Sequence, residues 1–327
     1  MTPEEFIEEW SNSKPYITAH TSGSTGTPKE IRLPKRLVAE SARRTICYFG
    51  LSSHSHLHLP LSADYIAGKM MIVRALLADA SITYETPSNT LTGIPTDRVT
   101  DLMAVVPSQL DYLLDHKDII LNIRNIIVGG SPVTPALRER CSASACNIVE
   151  TYGMTETASH VALRNIQDDY FTPLPGIAVC PDADSRVTID LGDFGIIHTN
   201  DIAEFHPDGT FKIIGRADDA IITGGLKVHP ADVERRIASI VNRYFPASAF
   251  IITSMPDDKW VNSITLCIEG NPSILKRTEK EEKLLDELSN LLKKHEIPKR
   301  IAYQNTFPRT SSGKIRRNSI KDLFSSE

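Results

Sequence analysis

Three short β-rich runs set the first limit on the fold. Ile82-Thr83-Tyr84, Leu102-Met103-Ala104-Val105-Val106 and Ile126-Ile127-Val128 are separated by segments of helical or turn composition. Strands this apolar are buried on both faces, and their alternation with helices argues for a parallel, layered α/β sheet. In such sheets ligands bind beyond the carboxyl ends of the strands. Two strand ends run into residues suited to that task. Val128 leads into Gly129-Gly130-Ser131-Pro132, and Asn147-Ile148-Val149-Glu150 leads into Thr151-Tyr152-Gly153-Met154-Thr155-Glu156-Thr157. Tyr152 offers a stacking face, Gly153 clearance, Thr155 a hydroxyl and Glu156 a hard oxygen ligand for Mg2+.

A second constraint comes earlier, at Thr21-Ser22-Gly23-Ser24-Thr25-Gly26-Thr27-Pro28-Lys29, where proline is the only apolar side chain. Glycine lets the backbone adopt positive φ and approach a ligand. Consecutive free N–H groups in such a turn form an anion-binding concavity. Hydroxyls add donors, and lysine adds a point charge suited to phosphate. These features predict a loop wrapped around a polyphosphate; a flexible Ser/Gly linker is the alternative. Gly23 and Gly26 are too close together, and Lys29 too displaced, for the loop of P-loop ATPases.

The 327 residues predict two domains. A net charge of −5 gives no basic field for nucleic acid, and no apolar run approaches the ~18 residues of a membrane helix. Cys47, Cys141, Cys146, Cys180 and Cys267 are scattered, with no zinc spacing, which suits reduced thiols in a cytoplasm.

Residues 35–49 have helical spacing. His54, His56 and His58 would share one face of a strand, either as a metal site or as a polar face. Asp64-Tyr65-Ile66-Ala67-Gly68-Lys69 opens an apolar helix, whose small residues could wall a flat ligand or simply pack. Residues 187–214 read as an antiparallel meander. Asp201 is expected between two of its strands, free to bridge vicinal hydroxyls as a ribose requires; a plain Asn-Asp turn explains it equally well. A boundary is expected at Gly215-Arg216-Ala217-Asp218-Asp219. Beyond it come a hairpin around Gly224-Gly225, a helix from Pro230, two strands and a charged helix from about Thr278 to His295. The tail Pro308-Arg309-Thr310-Ser311-Ser312-Gly313-Lys314 places a lysine after Ser-Ser-Gly, either to reach another domain's site or as part of a basic terminus.

Taken together, Thr21–Lys29, Tyr152–Glu156, Thr199–Asp201, Gly215–Gly225 and Pro308–Lys314 resemble, in the same order, the motifs of the adenylate-forming superfamily of acyl- and aryl-CoA synthetases, luciferases and adenylation domains. The resemblance spans almost the whole chain. It implies a layered α/β large domain with an antiparallel meander (1–216) and a small mobile α+β C-terminal domain (217–327). It implies ATP, Mg2+ and coenzyme A as ligands. Thr21, Ser22, Gly23, Ser24, Thr25, Gly26 and Lys29 would hold the β- and γ-phosphates. Gly130, Ser131 and Tyr152 would frame adenine, Thr155 would contact the α-phosphate and Glu156 would hold Mg2+. Asp201 and Arg216 would bind ribose, Asp218 would be the hinge, and Gly224 and Gly225 would face the pantetheine tunnel. Lys314 would bridge carboxylate and α-phosphate during adenylation, after which the small domain would swing.

Two departures stand out. The family carries a further N-terminal subdomain, whereas here 20 residues precede the phosphate loop. Tyr65 stands where the family has a gating aromatic. The short form, with Leu59-Pro60-Leu61 and Tyr152 to Arg164, resembles the o-succinylbenzoate–CoA ligases of menaquinone biosynthesis. Their aryl acid carries two carboxyl groups. One is activated, so the other needs an anchor, for which Ser159, His160, Lys69 and Arg164 are the candidates, with Tyr65 as a further substrate-site residue. A ligase for another aryl or fatty acid, and a non-catalytic AMP-binding relic, are the alternatives. No nucleic-acid or membrane partner is expected, and a homodimer is compatible with the sequence.

Overall fold

The structure is a computed structural model that describes residues 1–20, 29–246, 248–257, 260–270, 277–309, 315–317 and 319–320. Its first helix, α1 (Pro3–Ser11), starts from a reciprocal cap in which the Thr2 side chain accepts from Glu5 N and the Glu5 carboxylate accepts from Thr2 N. The antiparallel pair β1 (Tyr16–His20) and β2 (Glu30–Pro34) follows. Helix α2 (Lys35–Phe49) buries Leu37, Val38, Ser41, Ala42 and Thr45 as one stripe and ends on Gly50 in the left-handed region, φ 63°.

The main sheet is built next. Strand β3 (His56–Leu59) leads to helix α3 (Ile66–Ala78), which buries Gly68 through Ala75 on every side, as an internal helix does. Gly68 is required there, since a Cβ would strike the Ser62 carbonyl. Then come β4 (Ser81–Tyr84), β5 (Leu102–Val105), helices α4 (Pro107–Asp115) and α5 (Lys117–Ile120), β6 (Asn125–Val128), α6 (Pro135–Cys141), β7 (Asn147–Gly153), β8 (His160–Asn165) and β9 (Thr172–Pro173). They form one seven-stranded sheet in the order β4-β3-β5-β6-β7-β8-β9, parallel as far as β7 and antiparallel beyond it. Strand β5 shows why both faces are covered. Leu102 and Ala104 enter one apolar core, and Met103 and Val105 the other.

A second sheet joins β10 (Ala178–Pro181), β11 (Arg186–Asp190), β12 (Ile196–Phe205) and β13 (Phe211–Arg216) in sequence order. This is the expected meander with one correction: residues 196–205 are a single strand. Asp201 therefore lies within the ladder opposite Arg216, not in a gap between strands. The last part contains the hairpin β14 (Ile221–Thr223) and β15 (Leu226–Val228), helix α7 (Pro230–Tyr244), β16 (Phe250–Asp257), β17 (Val261–Glu269), helix α8 (Arg277–Leu291) and β18 (Arg300–Gln304). Strands β16, β17 and β18 form a mixed sheet. The apolar clusters on either side of Arg216 share no residue. Among the described residues no helix is long and apolar enough to cross a membrane.

Candidate active site

The carboxyl ends of β6 and β7 converge. Gly129 lies against Thr151, whose Oγ1 a Cβ would strike, and Thr151 Oγ1 donates to the Val128 carbonyl at 3.2 Å. Gly130 holds φ 82°, a value that favours glycine, and is exposed beside half-buried Ser131. The Tyr152 ring is only 9% exposed and packs edge-on against Phe211, with centroids 5.3 Å apart. Its hydroxyl donates to Asp201 Oδ2 at 2.8 Å. The expectation of an open stacking face at Tyr152 is thus corrected, because the ring belongs to an aromatic core.

Asp201 is not free either. Its Oδ1 lies 3.4 Å from Arg216 Nη1, and its backbone N–H donates to Thr199 Oγ1 at 3.0 Å. Arg216 directs Nε and Nη2 to the two oxygens of Asp218, both at 2.9 Å. The adenine, ribose and hinge candidates therefore form one chain, Tyr152–Asp201–Arg216–Asp218. Burial, then the adjacent Asp201 charge, pushes the Tyr152 phenol up. The Arg216 contact holds the Asp218 carboxyl below its ordinary value, and Asp218 raises Arg216 in return.

After β7 the chain makes a 3-10 turn, Thr155–Thr157. The Thr157 hydroxyl knots it, accepting from Met154 N at 3.0 Å and facing the Met154 and Ser159 carbonyls. Ala158 follows at φ 62°, ψ −32° and 0% exposure, a positive-φ conformation that costs an alanine about 1–3 kcal/mol. This knot presents Thr155 half-buried and Glu156 exposed, and Glu156 has no partner among the described residues. Gly153 was expected to give a ligand clearance. Instead it admits its own neighbour, since a Cβ would strike the Ser159 carbonyl and His160 Cα.

The anchor candidates separate clearly. Lys69 is 2% exposed and donates to Glu9 Oε2 at 3.2 Å and to the Thr18 carbonyl at 2.6 Å, while Glu9 Oε1 accepts from Thr18 N. It clamps β1 and is not offered to a ligand. Arg164 donates through Nε and Nη2 to Glu150 Oε2, at 3.0 and 2.7 Å, and its guanidinium covers the Phe171 ring. It too is occupied. Tyr65 caps the start of α3 and is exposed. Ser159 and His160 sit together at the start of β8. Ser159 Oγ accepts from Arg74 Nη2 at 2.7 Å, and His160 Nε2 lies 2.9 Å from Thr45 Oγ1.

Arg74 is the residue that sequence reasoning missed. It is 1% exposed, and among the described residues no carboxylate pairs with it. Its other contact among the described residues is Nη1 to the Met71 sulfur at 3.7 Å, and its Nε has no partner there. Burial alone pushes it down to about 9. Burial, then the Arg74 charge, holds His160 well below its ordinary value, so its ring is neutral. Charged side chains are seldom buried without a partner; that rule was the one signal available for Arg74 in an apolar helix.

The other expectations fall elsewhere. Thr21, Ser22, Gly23, Ser24, Thr25, Gly26 and Lys314, expected at the phosphates, lie outside the described residues; Lys29 is exposed. Gly224 and Gly225 form the turn of the β14–β15 hairpin at φ 54° and 78°. A Cβ on Gly224 would come within 2.6 Å of the Trp260 ring, whose backbone carbonyl accepts from Gly224 N. His54 precedes β3 and is exposed. His56 and His58 bond Ser81, Thr83 and Glu85, and no metal cluster occurs among the described residues. A cavity of about 600 Å3 at the amino ends of the parallel strands is lined by His54, His56 and two internally paired couples, Arg98–Asp97 and Arg124–Asp101. It is open and remote from Glu156 and Asp201, and those charges satisfy one another.

Known proteins resemble this chain in sequence and in fold. A 2-succinylbenzoate–CoA ligase of Listeria monocytogenes is 25% identical over 98% of this chain and 73% of its own length. The crystal structure of an acyl-CoA synthetase (AMP-forming)/AMP-acid ligase II-like protein from Dyadobacter fermentans is 30% identical, covering 98% of this chain and 93% of that one, with a TM-score of 0.61. The o-succinylbenzoate CoA synthetase of Bacillus subtilis, solved with its acyl-adenylate intermediate, shares the fold at a TM-score of 0.79 and 22% identity, over 93% of this chain and 68% of that one. The family model described as AMP-binding enzyme matches residues 3–190, more than half of the sequence, and the chain belongs to that family.

Proposed function

We propose that this chain is an ATP-dependent acid–CoA ligase for 2-succinylbenzoate. It would form 2-succinylbenzoyl-CoA, AMP and pyrophosphate by way of an acyl-adenylate, a step of menaquinone biosynthesis. The observation that carries the choice of acid is Arg74, a buried guanidinium without an acidic partner behind half-buried Ser159. An acid with a second carboxylate completes the pairing that the fold leaves open. Ser159 brings the Arg74 charge to the site, accepting from the guanidinium while its own proton faces the substrate. The names of the relatives from Listeria and Bacillus agree with this acid.

The rest of the site divides the labour. Asp201, already held by Tyr152 and Arg216, accepts the ribose hydroxyls. Gly130 and Ser131 border adenine. Thr155 donates to the α-phosphate. The exposed Glu156 carboxylate suits Mg2+, which when bound would offset phosphate charge. Lys314 and the Thr21–Lys29 loop bring positive charge and N–H donors to the phosphates. Residues 1–216 and 217–327 act as two domains joined near Asp218, a reading supported by the separate apolar clusters on either side of Arg216. Gly224 and Gly225 line the path of the CoA thiol.

The test is ATP- and CoA-dependent thioester formation from 2-succinylbenzoate. Benzoate, 4-oxo-4-phenylbutyrate and a long-chain fatty acid are run beside it. The diacid should be the best substrate. Equal efficiency with any of the three mono-acids would overturn the choice of acid, and failure with all four would overturn the ligase reading.

A further inference from the structure

Behind Ser159 lies a buried relay that links three elements. Arg74 on α3 donates to Ser159 Oγ at 2.7 Å. Ser159 Oγ lies 3.4 Å from His160 Nδ1, and His160 Nε2 lies 2.9 Å from Thr45 Oγ1 on α2. Thr45 is 0% exposed and His160 7% exposed. A neutral imidazole has one donor nitrogen and one acceptor, so whichever group bonds Nε2 decides what Nδ1 can do.

Thr45 has two possible acceptors. One is His160 Nε2 at 2.9 Å; the other is the Ser41 carbonyl at 3.3 Å, which in helix α2 faces the N–H of residue 45. The shorter contact to the unshared acceptor is the better bond. With Thr45 donating to Nε2, the ring proton sits on Nδ1 and is directed at Ser159. Ser159 Oγ then accepts from both Arg74 and His160. Both its lone pairs are taken, and its own O–H is the one polar function left for a ligand.

We infer that Thr45 and His160 are positioning residues that make the Ser159 hydroxyl an obligate hydrogen-bond donor to the free carboxylate of the substrate. With the opposite tautomer, Ser159 would give its proton to His160 and offer the substrate a lone pair, which repels a carboxylate. A carboxylate accepts only, so the tautomer works as a selectivity element. This inference rests on the diacid reading above, yet it assigns residues that touch no substrate atom.

Two measurements test it. In the intact wild-type protein, side-chain 15N and 13C shifts of His160 should report the Nδ1–H tautomer; the Nε2–H tautomer would overturn the inference without any variant. In kinetics, Thr45→Val keeps the shape and removes the donor. It should raise KM for 2-succinylbenzoate about tenfold, the order of one hydrogen bond to a charged group, with a much smaller change for 4-oxo-4-phenylbutyrate and for ATP. Thr45→Ser should restore most of the loss. Equal shifts with both acids, or none with either, would count against the relay. Arg74→Met separates the two ideas. If it leaves diacid preference intact, the diacid reading itself falls. If it abolishes the preference while Thr45→Val does not, only the relay falls.

Discussion

Two arginine sites flank strand β8, and they are opposites. Around Glu150, one carboxylate serves two guanidinium groups. Arg138 and Arg164 both reach Glu150 Oε2, Arg138 also donates to the Ile166 and Asp168 carbonyls, and Arg164 to that of Asp169. Around Arg74, one guanidinium has a hydroxyl, a thioether and no acid among the described residues. Burial lowers the pKa of both Arg164 and Arg74, but at Arg164 the Glu150 charge opposes it. A buried charge network that is closed on itself holds a fold together. One that is left open has room for a ligand's charge.

The comparison breaks most easily at its closed end. Glu150→Gln leaves two half-buried guanidinium groups without a carboxylate and should lower unfolding free energy by about 3 kcal/mol in urea. A loss below about 1 kcal/mol would mean the network is not a structural clasp. At the open end, Arg74→Met should reduce kcat/KM for 2-succinylbenzoate roughly a hundredfold, near 2.7 kcal/mol of transition-state binding. Its urea midpoint should hold or rise, because an unpaired buried charge has gone. A large stability loss with unchanged diacid kinetics would reverse the assignment of the two sites.

Between these extremes, Tyr152→Phe removes one hydrogen bond to a carboxylate and should raise KM for ATP roughly tenfold at constant stability of the aromatic core. Unchanged nucleotide binding would detach Tyr152 from the site. The smallest effect belongs to Asp218, which is largely exposed. Its folded pKa is depressed by Arg216, so its contribution is present above the ordinary carboxylate value of ~3.9 and is lost as pH falls through the lower folded value. Asp218→Asn should flatten a slight stability loss below about pH 4, read from urea midpoints between about pH 5 and pH 2.5. A variant and parent with the same acid limb would show the Arg216–Asp218 contact to be negligible.

Much of the scaffold was legible in the sequence. The parallel strands showed because their apolar runs are buried on both faces, and α2 showed its bounds because its stripe runs cleanly from Leu37 to Thr45 and stops at Gly50. Strand β12 was misread because Asn200-Asp201 has turn chemistry. Its ladder to Arg216 and the bond from Asp201 N to Thr199 Oγ1 override that local preference. The glycine-rich strand ends pointed to the site, although Gly153 serves backbone packing rather than ligand clearance. The proposed anchor, Arg74, was not legible. Lys69 and Arg74 are both lone cations in one apolar helix, and only tertiary distances reveal that the first has Glu9 and the second has no acid.

The positive-φ backbone at Ala158 constrains sequence drift. Its methyl group is fully enclosed, so a bulkier side chain has nowhere to go, while glycine alone would adopt that backbone without strain. A library randomised at this codon and selected for ligation should return alanine and glycine almost exclusively, making position 158 a two-letter bottleneck beside the Glu156 turn.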